Sequence, residues 1–111
     1  MTHWRWPLRR VAVHGHSMRP GLEPGDRLLV LGWGRTRPGD LVAVADPRDS
    51  ERVLVKRVTS VDAGDNRLTI AGDNPAASTD SRTFGPVDPG LVLGRVIYRY
   101  WPEGRRGRLR D

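Results

Sequence analysis

Gly15-His16-Ser17-Met18-Arg19-Pro20-Gly21-Leu22 runs directly into Glu23-Pro24-Gly25-Asp26 and then into Arg27-Leu28-Leu29-Val30-Leu31. The three pieces differ in kind. The last is apolar and has the length of a strand. The middle one carries the Pro-Gly-Asp composition of a turn. The first sets a serine on a short irregular segment between two extended stretches. Pro20 fixes its own φ and biases Arg19 towards extended geometry. Gly15 and Gly21 permit tight turns on either side. A chain written this way holds a hydroxyl at the rim of a β-sheet.

Outward from that stretch the pattern repeats: short apolar runs punctuated by Gly, Pro and Asp. Val11–His14 reads as a short strand feeding the serine segment, and Arg27–Trp33 as the next strand. Arg37-Pro38-Gly39-Asp40 is a turn signal. Leu41-Val42-Ala43-Val44-Ala45 is apolar on both faces, which predicts a central, buried strand. Asp46–Ser50 reads as a turn and Arg52–Val61 as a long strand. Asp62-Ala63-Gly64-Asp65-Asn66 has hairpin composition, and Arg67–Ala71 returns with Leu68 and Ile70 on one face. Residues 72–86 form a polar loop without periodicity. The stretch 87–100 closes the domain, with Leu91–Tyr98 as its strand. The chain of 111 residues, with 13 glycines and nine prolines, is therefore expected to be one all-β domain. The expected shape is a compact folded barrel of short, mostly antiparallel strands over residues 11–102. A basic, aromatic lead-in (1–10) precedes it and an arginine-rich tail (103–111) follows.

Composition excludes several chemistries. Cysteine is absent, which removes disulfides, thiolate zinc sites and a cysteine nucleophile. The formal net charge is +6, with Arg5, Arg9 and Arg10 near the start and Arg105, Arg106, Arg108 and Arg110 near the end. Such a tail is either solvated or binds an acidic partner, lipid or nucleic acid. No nucleic-acid reading motif accompanies it, so no nucleic-acid partner is expected. The apolar runs are far short of the ~20 residues a spanning helix needs. Pro7, Arg9 and Arg10 interrupt any signal-peptide core. Trp4 and Trp6 either pack at the domain edge or touch a membrane interface.

A serine hydroxyl needs a base to become a nucleophile. His14 and His16 crowd Ser17, but in an extended segment both point to the face opposite it. As a metal pair they lack a third ligand, so no metal and no cofactor is expected. Lys56 is the single lysine; every other one of the 19 Lys and Arg residues is arginine. It lies inside an apolar strand, with Leu54 and Val58 on its face. Burial there lowers the pKa of an ammonium, and a neutral amine can act as general base. Arginine cannot, because it stays protonated. The alternative is a lysine whose stem packs while its head snorkels to water. The polar loop Gly72–Val87 offers Ser78 and Ser81 as hydrogen-bond partners for a buried amine, and Asp80 and Arg82 close enough to pair. A plain surface cluster of turn residues is the other reading of that loop.

Three segments together resemble the signal peptidase I family of Ser/Lys peptidases, and in family order. They are Gly-X-Ser-Met-X-Pro at 15–20, Lys-Arg-Val at 56–58, and Gly-Asp-Asn…Ser-X-Asp-Ser-Arg-X-Phe-Gly-X-Val at 72–87. The resemblance covers most of the chain from Val11 to Val96 and implies the β fold shared with LexA-type repressors. It implies Ser17 as nucleophile and Lys56 as general base, with Ser78 orienting the Lys56 amine. Asp80 and Arg82, with Ser81 beside them, would shape the site, and the Ser17 N–H would meet the oxyanion. Some members add a hydroxyl two residues before the nucleophile; here that position is Gly15. Gly21 replaces the usual threonine after the proline.

The implied partner is an extended peptide segment of a precursor protein, adding as a strand between Val11–His14 and Val53–Val55. Val13, His14, Gly15, Met18, Leu54 and Val55 are the expected contacts, with small residues just before the cut. No membrane anchor and no second β-domain is visible. The small form, with its closing Tyr-Trp-Pro, resembles the nickel-type superoxide dismutase maturation proteases. That implies a cytoplasmic enzyme trimming the nickel superoxide dismutase precursor. Three other readings stand beside it. One is a membrane-associated signal peptidase core cutting exported preproteins. Another is a self-cleaving repressor, whose DNA-binding domain is not visible. The third is a non-enzymatic β-domain that binds acidic partners or nucleic acid through its arginines.

Overall fold

The computed structural model describes residues 8–32 and 35–109. Seven strands form one antiparallel sheet: β1 (Leu8–Ala12), β2 (Arg27–Leu31), β3 (Leu41–Asp46), β4 (Asp49–Val61), β5 (Leu68–Ala71), β6 (Val92–Trp101) and β7 (Gly107–Arg108). The only α-helix among the described residues is a single turn, α1, at Ser81–Phe84. The strand order is β1-β2-β6-β3-β4-β5, and β7 pairs with β6. The all-β, mostly antiparallel architecture expected from the sequence is present.

β3 is the axis of this sheet, and the reason is its sequence. Leu41 and Ala43 enter one buried cluster with Val13, Met18, Leu22 and Leu28. Val42 and Val44 enter a second with Val58, Leu68, Ile70 and Val87. Alternate side chains of a strand point to opposite faces, so a run apolar at every position must be covered on both. The segment that carries Ser17 is rooted in the first cluster through Met18 and Leu22.

Element boundaries differ from the sequence reading where turns are tighter than composition indicates. β4 begins at Asp49, because the β3–β4 hairpin closes over Pro47-Arg48 alone. Asp46 Oδ1 accepts from the Arg48 N–H at 2.9 Å and completes that turn. β1 begins at Leu8, inside the expected lead-in, since Leu8–Arg10 pair with Leu29–Leu31. Val13 lies just beyond β1, but it exchanges backbone bonds with Asp26 O at 2.8 Å and Gly25 N at 2.9 Å. Trp4 and Trp6 of the lead-in, Trp33, and Arg110 of the tail lie outside the described residues.

The described part of the arginine-rich end is folded rather than loose. After Trp101, a 3-10 turn at Glu103–Arg105 leads into β7, and Leu109 packs against the first core cluster. Arg105 pairs with the buried Asp26. Arg99 reaches the same carboxylate at 3.3 Å and donates to the Gly21 carbonyl at 2.8 Å.

Candidate active site

An open cleft of about 670 Å³ runs between β1 with its continuation and the first half of β4. Arg10–Met18 line one wall and Glu51–Lys56 the other. Among the described residues β1 pairs only with β2, and β5 takes up β4 only from Arg57 onward. Two unpaired strand edges therefore border the cleft, and Ser17 and Lys56 both lie along it.

Ser17 is half-buried on the turn between β1 and β2. Gly15 adopts φ +80°, a left-handed geometry that L side chains rarely take, and this bends the chain just before the serine. The loop after β5 holds the same turn from outside. Asn74 N–H donates to Ser17 O at 2.8 Å, and Asn74 Nδ2 donates to His16 O at 3.0 Å. No hydrogen bond joins Ser17 to Lys56 among the described residues. Ser17 Oγ has no hydrogen-bonded partner there either.

Lys56 is 3% exposed and sits directly opposite the buried Val42 of β3. Its amine donates to Ser78 Oγ at 3.1 Å. Burial pushes its pKa below the ordinary lysine value; Asp80 opposes that shift and Arg82 reinforces it. Ser78 Oγ in turn donates to Asp80 Oδ2 at 2.7 Å. Asp80, 1% exposed, also accepts from Gly72 N–H at 3.0 Å and from Arg82 Nε at 3.1 Å. Burial alone would raise the Asp80 pKa, but the bonds from Ser78, Gly72 and Arg82 outweigh it and hold the carboxyl well below the usual range.

The direction of this relay follows from proton counting. An ionised Asp80 can only accept, so the single Ser78 proton is committed to it. Ser78 then has only lone pairs to offer Lys56, which must donate. A neutral amine used this way keeps its own lone pair for another proton. The snorkelling alternative does not describe Lys56, whose head group is enclosed with its stem.

The loop residues named from the sequence converge here. Ser78 touches Lys56, Asp80 caps α1 and pairs with Arg82, and Ser81 Oγ accepts from Ile70 N–H at 2.9 Å. Of the expected peptide contacts, Val13, His14, Gly15, Met18, Leu54 and Val55 all line the cleft. Val13, Met18 and Val55 nevertheless bury their side chains in the core. His14 and His16 are exposed on the cleft wall.

Sequence reading quoted Gly72-Asp73-Asn74 but gave its members no task. A Cβ on Gly72 would lie 2.6 Å from Ser78 Cβ and 2.7 Å from Ser17 O, so only glycine lets the Ser17 turn and the Ser78 loop meet. Asp73 pairs with Arg57, the neighbour of Lys56, at 2.9 Å. Arg48 was also missed. It is salt-bridged to Asp46 and stacked 5.5 Å from the centre of the Phe84 ring, at the cleft margin. A buried carboxylate and an aromatic at fixed offsets were the available signals.

A family model described as signal peptidase, peptidase S26, matches residues 4–66 and 59–101. The chain belongs to this family of signal peptidases. The mitochondrial ATP-independent inner membrane protease subunit 1a of Arabidopsis thaliana is 35% identical to it, over 96% of this chain and 78% of that protein. Subunit 2 of the mitochondrial inner membrane protease of Danio rerio is 32% identical, over 87% of this chain and 66% of its own length. Human subunit 1 is 31% identical, over 90% and 74% respectively. The chain is thus a signal-peptidase-like protease by kinship. The narrower resemblance to superoxide dismutase maturation proteases has no counterpart in these relatives.

The expectation of a cytoplasmic enzyme is overturned by the same matches, since each of these relatives is named as an inner membrane protease. That expectation had rested on the resemblance to superoxide dismutase maturation proteases, together with apolar runs too short for a membrane anchor. Run length tests whether a helix can span a bilayer, not where a peptidase works. No helix among the described residues is long and apolar enough to cross a membrane.

Proposed function

We propose that this signal peptidase family member is a Ser/Lys endopeptidase that removes N-terminal leaders from precursor proteins at a membrane surface. The observation that carries the reading is Lys56. It is buried, its pKa is lowered, and it is tied to Ser78 and Asp80 beside the cleft that also holds Ser17. A lysine in this setting becomes neutral, and so able to take a proton, at a lower pH than an ordinary lysine.

In this reading an extended leader lies between the edges of β1 and β4 as an added strand. Ser17 Oγ attacks the scissile carbonyl and its proton passes to Lys56 Nζ. The oxyanion faces the Ser17 N–H. Protonated Lys56 then gives its proton to the leaving amine as the C–N bond breaks, leaving an acyl ester on Ser17. Lys56 next takes a proton from water. The hydroxide attacks the ester, the leader departs as a carboxylic acid, and Ser17 Oγ is reprotonated. The contact between Ser17 and Lys56 is completed with substrate bound, since catalytic hydrogen bonds in free enzymes are often long.

Membrane work follows from the relatives' names, and it favours a membrane precursor over the soluble nickel superoxide dismutase precursor as substrate. The test incubates the purified protein with each precursor, the membrane one in vesicles, and reads product N-termini by mass spectrometry. Cleavage of the membrane precursor at one bond is expected, lost by ~10³-fold or more in Ser17→Ala and by ~10²–10⁴-fold in Lys56→Ala. Cleavage of the superoxide dismutase precursor alone would return the narrower reading. Equal products from wild type and both variants would remove the dyad.

A further inference from the structure

The proposed reaction leaves the oxyanion with a single donor from the nucleophile segment, the Ser17 N–H, because Gly15 has no side chain to add. One donor must then be aimed well. The geometry points to Asn74 as the residue that aims it, acting as a positioning residue for this donor. The inference rests on the proposed function.

The argument starts from the peptide bond. The His16 carbonyl and the Ser17 N–H belong to one planar, trans peptide unit, so they point in opposite directions and rotate together. Asn74 Nδ2 donates to that carbonyl at 3.0 Å, across 58 residues of sequence. His16 O can only accept, which fixes the NH2 end of the amide towards it. Arg19 N–H is the other donor to His16 O, at 3.2 Å. It comes from within the turn and moves with it, whereas Asn74 belongs to the loop that follows β5. Asn74 also donates its own N–H to Ser17 O at 2.8 Å, so the carbonyls on both sides of the nucleophile are held from one residue. Holding His16 C=O fixes where Ser17 N–H points. It also polarises the amide, and so strengthens the N–H as a donor to an anion.

The same loop brings Gly72 against Ser78 and Ser17, and Asp73 to Arg57. Asn74 therefore has a fixed frame from which to act. Among the described residues it makes no hydrogen bond to Lys56, Ser78 or Asp80. Its effect should appear in the oxyanion and not in the general base.

The test uses the full chain with Asn74→Ala and Asn74→Asp. Both keep the backbone N–H that holds Ser17 O, and the second keeps the shape while removing the donor. Steady-state cleavage of a leader peptide should show kcat reduced ~10-fold, less than the 10²–10³-fold typical of deleting an oxyanion donor outright. KM should stay within about twofold and the acid limb of the pH–rate profile should not move. A peptide aldehyde, which forms a tetrahedral adduct on serine, should bind more weakly in proportion to kcat. Asn74→Asp should be no better than Asn74→Ala. A two-dimensional amide spectrum should show the Ser17 resonance displaced and those of Lys56 and Ser78 in place. Wild-type kcat in Asn74→Ala, an unmoved Ser17 resonance, or a loss carried by KM or by a shifted pH profile would each overturn the assignment. A Ser17 resonance displaced in the variants, with a wild-type protein that neither cleaves leaders nor binds the aldehyde, would sink the peptidase reading itself, and the positioning role of Asn74 with it.

Discussion

Lys56 is the base in the proposed reaction, and its burial has a signed consequence for both activity and stability. The amine must be neutral to accept the Ser17 proton. Its pKa is lowered, so activity should rise with pH through that lowered value and fall away on the acid side. A leader-cleavage pH profile, with its acid limb below the ordinary lysine value of 10.5, checks this. For stability, the unfolded chain keeps the proton up to that ordinary value while the folded chain releases it earlier. Between the two, the unfolded state binds more protons and stability rises with pH. Lys56→Met should therefore be more stable than wild type at neutral pH, with the gap closing towards pH 10.5 in denaturant titrations. Gly72 makes a second prediction. Its Cβ would press on Ser17 O and Ser78 Cβ at 2.7 and 2.6 Å, so Gly72→Ala should cost ~1–3 kcal/mol and most of the activity. Lys56 was legible in sequence because it is a lone lysine on an apolar strand. Gly72 was not, because the approach it permits joins residues 17, 72 and 78, and no local pattern encodes a contact at that separation.

The cleft is a property of two elements rather than of their side chains. β1 and the first half of β4 each offer an unpaired edge, and Val13 and Val55 on their margins send their side chains into the core. A peptide between these edges is held mainly by its backbone, with alternate N–H groups facing each wall. Leader peptides N-methylated one position at a time should therefore show a period of two. Alternating positions should raise KM by ~3- to 10-fold, the worth of one net hydrogen bond, with little change between. A uniform effect along the peptide, read by competition kinetics, would mean that side-chain pockets govern binding. At this scale the sequence was informative where a short run is apolar on both faces, as in Leu41–Ala45. It was less so at Asp49–Arg52, where polar residues continue a strand. There the pairing of Asp49 with Asp46 across a two-residue turn outvotes composition, and the regular register with β3 resumes at Val53.

The last described residues fold back onto the rest of the molecule, and this bears on the segment that carries Ser17. Asp26, 1% exposed, accepts from Glu23 N–H at 2.9 Å and pairs with both Arg99 and Arg105. Arg99 also holds the Gly21 and Arg105 carbonyls, at 2.8 and 2.6 Å. The turn from Gly21 to Asp26, which follows Ser17 directly, is thus clasped from β6 and the 3-10 turn beyond it. In the sequence Arg105 stands in a charge run of a kind that is mostly solvated, and its buried acceptor Asp26 lies 79 residues earlier. Arg99→Met leaves Asp26 one arginine fewer and two carbonyls without a donor. A loss of ~3 kcal/mol in urea unfolding is expected, as for breaking one partner of a buried pair. Because the clasp grips the segment after the nucleophile, kcat should fall at temperatures where the variant is still folded, as monitored by circular dichroism. Arg106→Met is the control: its ion pair with Glu103 is long, 3.8 Å, and exposed, so unfolding and kcat should both stay near wild type. Equal losses in the two variants would show that bulk charge, and not the clasp on Asp26, is what the C-terminal arginines contribute.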